Sequence, residues 1–137
     1  MANKIRYSEH DLQVRCASYL LKREREIKDL AFCHIPNEGK HKVQYRKKLR
    51  EEGLRPGAPD LMIWLAGGKT LAVELKIPTG EPSDNQISFG GRLARLGHDY
   101  HVLYGESPDD IQNKLQKLLE SAKPLVEGES MPNWLTP

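Results

Sequence analysis

Hydrophobic and polar positions follow two periods along this chain, one near 3.6 residues and one of two. In YSEHDLQVRCASYLLKRERE, Leu12, Cys16, Tyr19 and Leu20 recur at i, i+4, i+7 and i+8, which predicts a helix with one apolar stripe. Ser8, with Asp11 three residues on, predicts a capping box at its start, and the pattern runs out near Glu26. LAFCHIP (30–36) reads as a short strand ended by Pro36. NEGKHKVQYRKKLREEG reads as a loop and a basic helix closed by Gly53, and LRPGAP as a further loop. Two alternating runs, near 60–66 and 70–77, predict a hairpin about a Gly-Gly turn. After the loop PTGEPSD, NQISFGGRLARLG predicts a helix stopped by Gly97, and HDYHVLYG a strand. The last helix lies in ESPDDIQNKLQKLLESAK, with Ser107 as cap, Pro108 in the first turn, and Ile111, Leu115, Leu118 and Leu119 facing inward. The order α-β-α-β-β-α-β-α predicts an α/β fold, a central mixed sheet flanked by helices. One domain over 1–123 and a Pro-rich tail over 124–137, which Trp134 would pin, are expected.

The hairpin carries charge where its pattern asks for core. In TLAVELKI, Leu71, Val73, Leu75 and Ile77 share one face, leaving Thr70, Ala72, Glu74 and Lys76 on the other. In DLMIWLA, Leu61, Ile63 and Leu65 form the matching aliphatic face, opposite Asp60, Met62, Trp64 and Ala66. A three-residue loop, Gly67-Gly68-Lys69, pairs Ala66 with Thr70, Met62 with Glu74 and Asp60 with Lys76, so the three charges converge. A two- or four-residue loop puts Asp60 on the wrong face unless a bulge corrects it. Two carboxylates and a lysine on a half-buried strand are costly if idle. Mg²⁺ or Mn²⁺ would offset that cost, with the lysine serving the attacking water or the phosphoryl charge. On the hairpin alone, an ordinary salt bridge is the simpler account.

Two helices add to the picture. Glu9 stands three residues before Leu12 and seven before Cys16, on the inward stripe at the first turn, whereas Asp11 lies off it. Gln86 stands three before Phe89 and seven before Leu93. Each could be a capping or satisfied core residue, but both aim at the sheet that carries Asp60, Glu74 and Lys76, and a polar group on an apolar stripe needs a partner.

Composition narrows the class only a little. Hydrophobic residues make up 38% and charged residues 29%, as in ordinary soluble globular domains. The net charge of +2 does not mark a nucleic-acid binder by itself, so its distribution matters. KHKVQYRKKLR carries Lys40, Lys42, Arg46, Lys47, Lys48 and Arg50, with Arg55 just beyond. The run reads either as a solvated helix face or as a phosphate-binding one, and its place before the Pro-Asp loop favours the second. Cys16 and Cys33 make neither a disulfide framework nor a ligand cluster, and read as reduced, buried thiols of a cytoplasmic protein. His34 and His41 have no partners at zinc spacing. No apolar run approaches transmembrane length, and the N-terminus lacks the apolar core of a signal peptide.

Together, Pro59-Asp60 and Glu74-Leu75-Lys76 resemble the signature of the PD-(D/E)xK nuclease superfamily. HIPNEGK (34–40), GLRPGAPDLMI (53–63), LAVELKIPTGEPSDNQ (71–86) and RLGHDYHVLYG (95–105) resemble, more narrowly, the VRR-NUC family of virus-type replication–repair nucleases, and the likeness covers roughly 6–121. The resemblance implies a restriction-endonuclease-like core. It implies metal ligation by Asp60, Glu74 and the main-chain carbonyl of Leu75, with Lys76 as the catalytic lysine. Gln86 would be the family's helix glutamine. Glu9 would be the first-helix acid and a further ligand, with Asp11 two residues away as the alternative. Asn37 and Glu38 would shape the site or recognise substrate. Gly90 and Gly91, inside the helix after Gln86, depart from the usual pattern and are expected to mark close packing.

The function expected from all this is a Mg²⁺- or Mn²⁺-dependent, structure-selective DNA endonuclease that leaves 5′-phosphates. Its substrate would be branched DNA such as a Holliday junction, cut by a homodimer in a bacterial or phage-infected cytoplasm. Two other classes compete. A catalytically silent binder of branched DNA would not need Asp60, Glu74, Lys76 and Gln86 together. A phosphodiesterase on small nucleotides would not need the basic helix, and no glycine-rich phosphate loop is present.

Overall fold

The computed structural model describes residues 5–36 and 42–122. The elements run α1 (Glu9–Glu26), β1 (Leu30–His34), α2 (Val43–Glu51), β2 (Leu61–Leu65), β3 (Lys69–Lys76), α3 (Asp84–Arg95), β4 (Asp99–Tyr104) and α4 (Pro108–Ser121), the order the sequence predicts. The expectations on Asn37, Glu38, Lys40 and His41, and on the tail from 124 to 137, fall outside the described residues. The strands form one mixed sheet in the order β1-β2-β3-β4. β1 and β3 both run antiparallel to β2, and β4 is parallel to β3.

Local chemistry sets the helix starts. Ser8 and Asp11 exchange the two hydrogen bonds of a capping box, as expected. Ser83 and Gln86 do the same for α3. Ser107 accepts from the Asp110 N–H, with Pro108 in the first turn of α4.

The hairpin keeps the predicted parity but not the predicted turn. Its three-residue loop is Ala66-Gly67-Gly68, not Gly67-Gly68-Lys69, because Leu65 pairs with Lys69 and Trp64 with Thr70. Both glycines take left-handed backbone, at φ 78° and 79°. Lys69 gains from joining the strand, since its Nζ meets Asp99 Oδ2 at 3.0 Å across the sheet. The faces are unchanged, yet every partner moves by two residues. Leu61 pairs with Val73, so the next step along the ladder puts Asp60 opposite Glu74 rather than Lys76.

The core lies on the aliphatic face. Leu61, Ile63, Leu71, Val73 and Leu75 pack against Leu12, Cys16 and Leu20 of α1 and Ile111, Leu115 and Leu119 of α4. Each helical trio is spaced i, i+4, i+8 and points one apolar edge at the sheet. Arg15 ties the two helices together through Asp109 at 2.7 Å. α3 covers the other face beside β4, where Gly90 is buried. A β-carbon there would stand 2.4 Å from the Tyr100 ring, so close packing accounts for this glycine. It does not account for Gly91, whose nearest neighbour would be the Arg95 guanidinium at an ordinary 3.7 Å. The helix stays regular through both.

One thiol expectation is also corrected. Cys16 is buried but Cys33 is exposed. β1 is an edge strand, and Ala31 and Cys33, on the face away from α1, are both exposed.

Candidate active site

Among the described residues, Glu74 is the one polar or charged side chain that is buried, with 0% of its surface exposed. It sits mid-sheet on β3 with α3 above it. Gln86 Nε2 donates to Glu74 Oε2 at 2.8 Å. The Gln86 carbonyl oxygen accepts from the Ser83 N–H at 2.8 Å, so the capping box that starts α3 also orients the amide. The other carboxylate oxygen, Glu74 Oε1, is buried with no hydrogen-bond partner. Burial, then the neighbouring Asp60 charge, push the Glu74 carboxyl up to about 8, against the pull of Lys76.

Asp60 lies just before β2. Its Oδ2 accepts the Leu75 N–H at 2.8 Å, standing in for the main-chain partner that β2 no longer supplies. Its carboxyl is also raised, chiefly by burial and further by Glu9, while the Leu75 N–H opposes the shift. The Asp60 carbonyl accepts from the Ile35 N–H at 3.0 Å and faces His34 Nδ1 at 2.8 Å. A carbonyl cannot donate, so Nδ1 is the donor in this contact.

Lys76 follows two residues after Glu74 on the same face. Its Nζ meets Glu9 Oε1 at 3.3 Å, from the first turn of α1. Asp11 is occupied by the cap, with Oδ2 2.8 Å from the Ser8 N–H, so Glu9 is the first-helix acid that reaches the site. These residues border a cleft of about 300 Å³. Asp60, Leu75 and Lys76 line it from the strands, Glu9, His10 and Gln13 from α1, His34 from β1 and Gln86 from α3. Glu74 lies beneath this surface.

The structure brings Glu9, Asp60, Glu74, Leu75, Lys76 and Gln86 together about one cleft, and adds three wall residues that sequence reasoning missed. Gln13 was legible, four residues after Glu9 on the same helical edge; its Nε2 is buried without a partner. His10 adjoins Glu9. His34 enters only because β1 pairs with β2 and ends beside Asp60, a tertiary fact.

The basic residues lie on and around α2, which buries none of its side chains. Lys42, Lys47, Lys48 and Arg50 are exposed and Arg46 is half-buried. Arg55 stands over the Phe89 ring of α3, 5.8 Å from its centroid.

A mixed four-stranded sheet between helices, with two carboxylates and a lysine gathered at one cleft, defines a restriction-endonuclease-like α/β protein. The model of the VRR-NUC domain matches residues 7–107, and the chain belongs to this family. Over 57 residues it is 37% identical to a protein named "Putative nuclease p44" of Acyrthosiphon pisum secondary endosymbiont phage 1. That match takes in 42% of this chain and 61% of the phage protein, so the chain spans less than two thirds of that relative's length. A solved structure titled "VRR_NUC domain protein" superposes with a TM-score of 0.59 at 18% identity, over 87% of this chain and 93% of its own. A second, titled "VRR_NUC domain", gives 0.49 at 22% identity, over 77% and 95%. Among the described residues no helix is long and apolar enough to cross a membrane.

Proposed function

We propose that the chain is a Mg²⁺- or Mn²⁺-dependent, structure-selective DNA endonuclease. The observation that carries this reading is the pair Asp60 and Glu74. The two acids stand opposite each other at the cleft, burial raises both carboxyls above the usual range with Asp60 adding to the rise at Glu74, and one oxygen of the fully buried Glu74 has no partner. A cation would offset the cost of burying such a pair, and an all-oxygen set suits Mg²⁺ or Mn²⁺. Asp60, Glu74 and the Leu75 carbonyl fit that ion. Among the described residues no three His, Cys, Asp or Glu side chains form a ligand group, and Glu9 is held by Lys76. Glu9 therefore joins the set through water or after leaving the lysine.

The cation, when bound, supplies a Lewis acid for the phosphoryl oxygens. The chain's own residues do the rest. Gln86 holds Glu74 in one orientation. The Leu75 N–H holds Asp60. Lys76 brings a positive charge to the attacking water and the phosphate as charge grows on the phosphoryl oxygens. Water oxygen bonds to phosphorus and gives up a proton to solvent, the P–O3′ bond breaks and O3′ takes a proton from solvent, leaving a 5′-phosphate and a 3′-hydroxyl. The exposed cations of α2, with Arg55 and Lys40, contact backbone phosphates without reading bases. The substrate is branched DNA, including the Holliday junction. Its two-fold symmetry suits a homodimer that presents two sites.

The test is purified protein with Mn²⁺ or Mg²⁺, given junction, flap and linear DNA. Cleavage of the branched substrates, lost in chelator and in Asp60→Ala, Glu74→Ala and Lys76→Ala variants that stay folded, is the expected result. Full activity of Lys76→Ala refutes the mechanism, and binding of junctions without cleavage would make the chain a silent module.

A further inference from the structure

The loop that delivers Asp60 to the sheet is seated on the helix that delivers Gln86. Arg55, Pro56, Gly57 and Ala58 form a turn closed by the Ala58 N–H, which donates to the Arg55 carbonyl at 3.3 Å. Proline in second place and glycine in third, here at φ 84°, is the pattern of a type II turn. This turn lies hard against α3. A β-carbon at residue 57 would stand 2.2 Å from the Asn85 carbonyl oxygen and 2.7 Å from the Gln86 nitrogen. Both are main-chain atoms in the first turn of a helix, so neither can swing aside as a side-chain tip can. Arg55, from the same turn, rests over Phe89 one helical turn further along. Three residues beyond Gly57 comes Asp60, and Gln86 is the residue that holds Glu74.

We propose that Gly57 is a positioning residue of the cleft. By letting the loop touch the α3 backbone, it sets the spacing between Asp60 and the Gln86–Glu74 pair without meeting substrate itself. The inference rests on the function proposed above for its consequence in catalysis, but its structural half can be tested alone. The simpler role, a glycine needed only for positive φ, is isolated by Gly53. That residue has φ 106° in the preceding turn, and a β-carbon there would find nothing within 4 Å. Gly53→Ala therefore carries backbone strain alone, whereas Gly57→Ala carries strain and the push on α3.

The experiment compares both variants by ¹⁵N–¹H spectra of the Gln86 side-chain amide, with Glu74→Ala marking the signal of a Gln86 that has lost its acceptor. Gly57→Ala should move the amide towards that marker and lower kcat by roughly a hundredfold, the scale of an ångström misplacement. Gly53→Ala should leave the amide and kcat as in the parent. An unmoved amide in Gly57→Ala, or an equal loss of kcat in both glycine variants, overturns the proposal. If Gly57→Ala does not fold, Phe89→Leu loosens the same seat without strain. A smaller amide shift in the same direction then supports the proposal, and an unmoved signal overturns it. A parent protein that cleaves no DNA defeats the nuclease reading, and the amide shift alone then decides the role of Gly57.

Discussion

Gln86 holds Glu74 with one end of its amide and Ser83 with the other, both at 2.8 Å. One side chain therefore starts a helix and orients the buried acid of the cleft. The two tasks separate by substitution. Glu at this position keeps the capping box with Ser83 but loses the donor to Glu74 and sets a second carboxylate beside it. Gln86→Glu should retain the cap and still lose cleavage by roughly a hundredfold. Gln86→Ala should lose cleavage and also about 1 kcal/mol of stability with the cap. Thermal melts beside single-turnover rates check both, and an active Gln86→Glu enzyme would show that the amide donor is dispensable.

Without divalent cations, stability should fall as pH rises. Glu74 carries a carboxyl raised from 4.5 in the unfolded chain to about 8 in the folded one. Its contribution is complete below 4.5 and is lost as pH passes through about 8, because the folded state binds the extra proton in that window. In chelator, the melting temperature at pH 8.5 should lie at least about 5 °C below that at pH 5. Glu74→Gln should remove most of that fall and Mn²⁺ should reverse it. A flat profile in chelator would mean that Glu74 is not held protonated.

The cations of α2 are expected to act as phosphate contacts. Reversing both Lys47 and Lys48 to Glu should weaken binding by the same factor on unrelated DNA sequences. It should also flatten the slope of log K against log salt by about two units. Titrations at several salt concentrations decide this, and an unchanged slope would leave the pair as a solvated face.

Light scattering of the protein with a four-way junction should give the mass of two monomers plus one junction. A monomer that cuts junctions at full rate under the same conditions would remove the homodimer from the proposal.

Much of this site was legible because it depends on periods and parity. The alternation of DLMIWLA and TLAVELKI places Asp60, Glu74 and Lys76 on one face whichever three-residue loop joins the strands. The stripe of α1 aims Glu9 inward, and that of α3 aims Gln86. The choice between Glu9 and Asp11 is also local, since a capping box occupies Asp11.

Tertiary structure decided the rest. Loops with the same parity but shifted by one residue give the same faces and different partners. The ion pair of Lys69 with Asp99, on a strand 30 positions later in the chain, accompanies the register that puts Asp60 opposite Glu74. Burial of Glu74 follows from α3 packing on its face of the sheet, and exposure of Cys33 from α3 lying by β4, at the far edge from β1; neither is written in the strands themselves. Gly53 and Gly57 read alike as loop glycines, and only the approach of the Asn85 backbone tells them apart. The sequence by itself determined which side chains face which way, because periodicity is a property of the local backbone. Distances between elements depend on how separate pieces settle against one another, and that is set by packing alone.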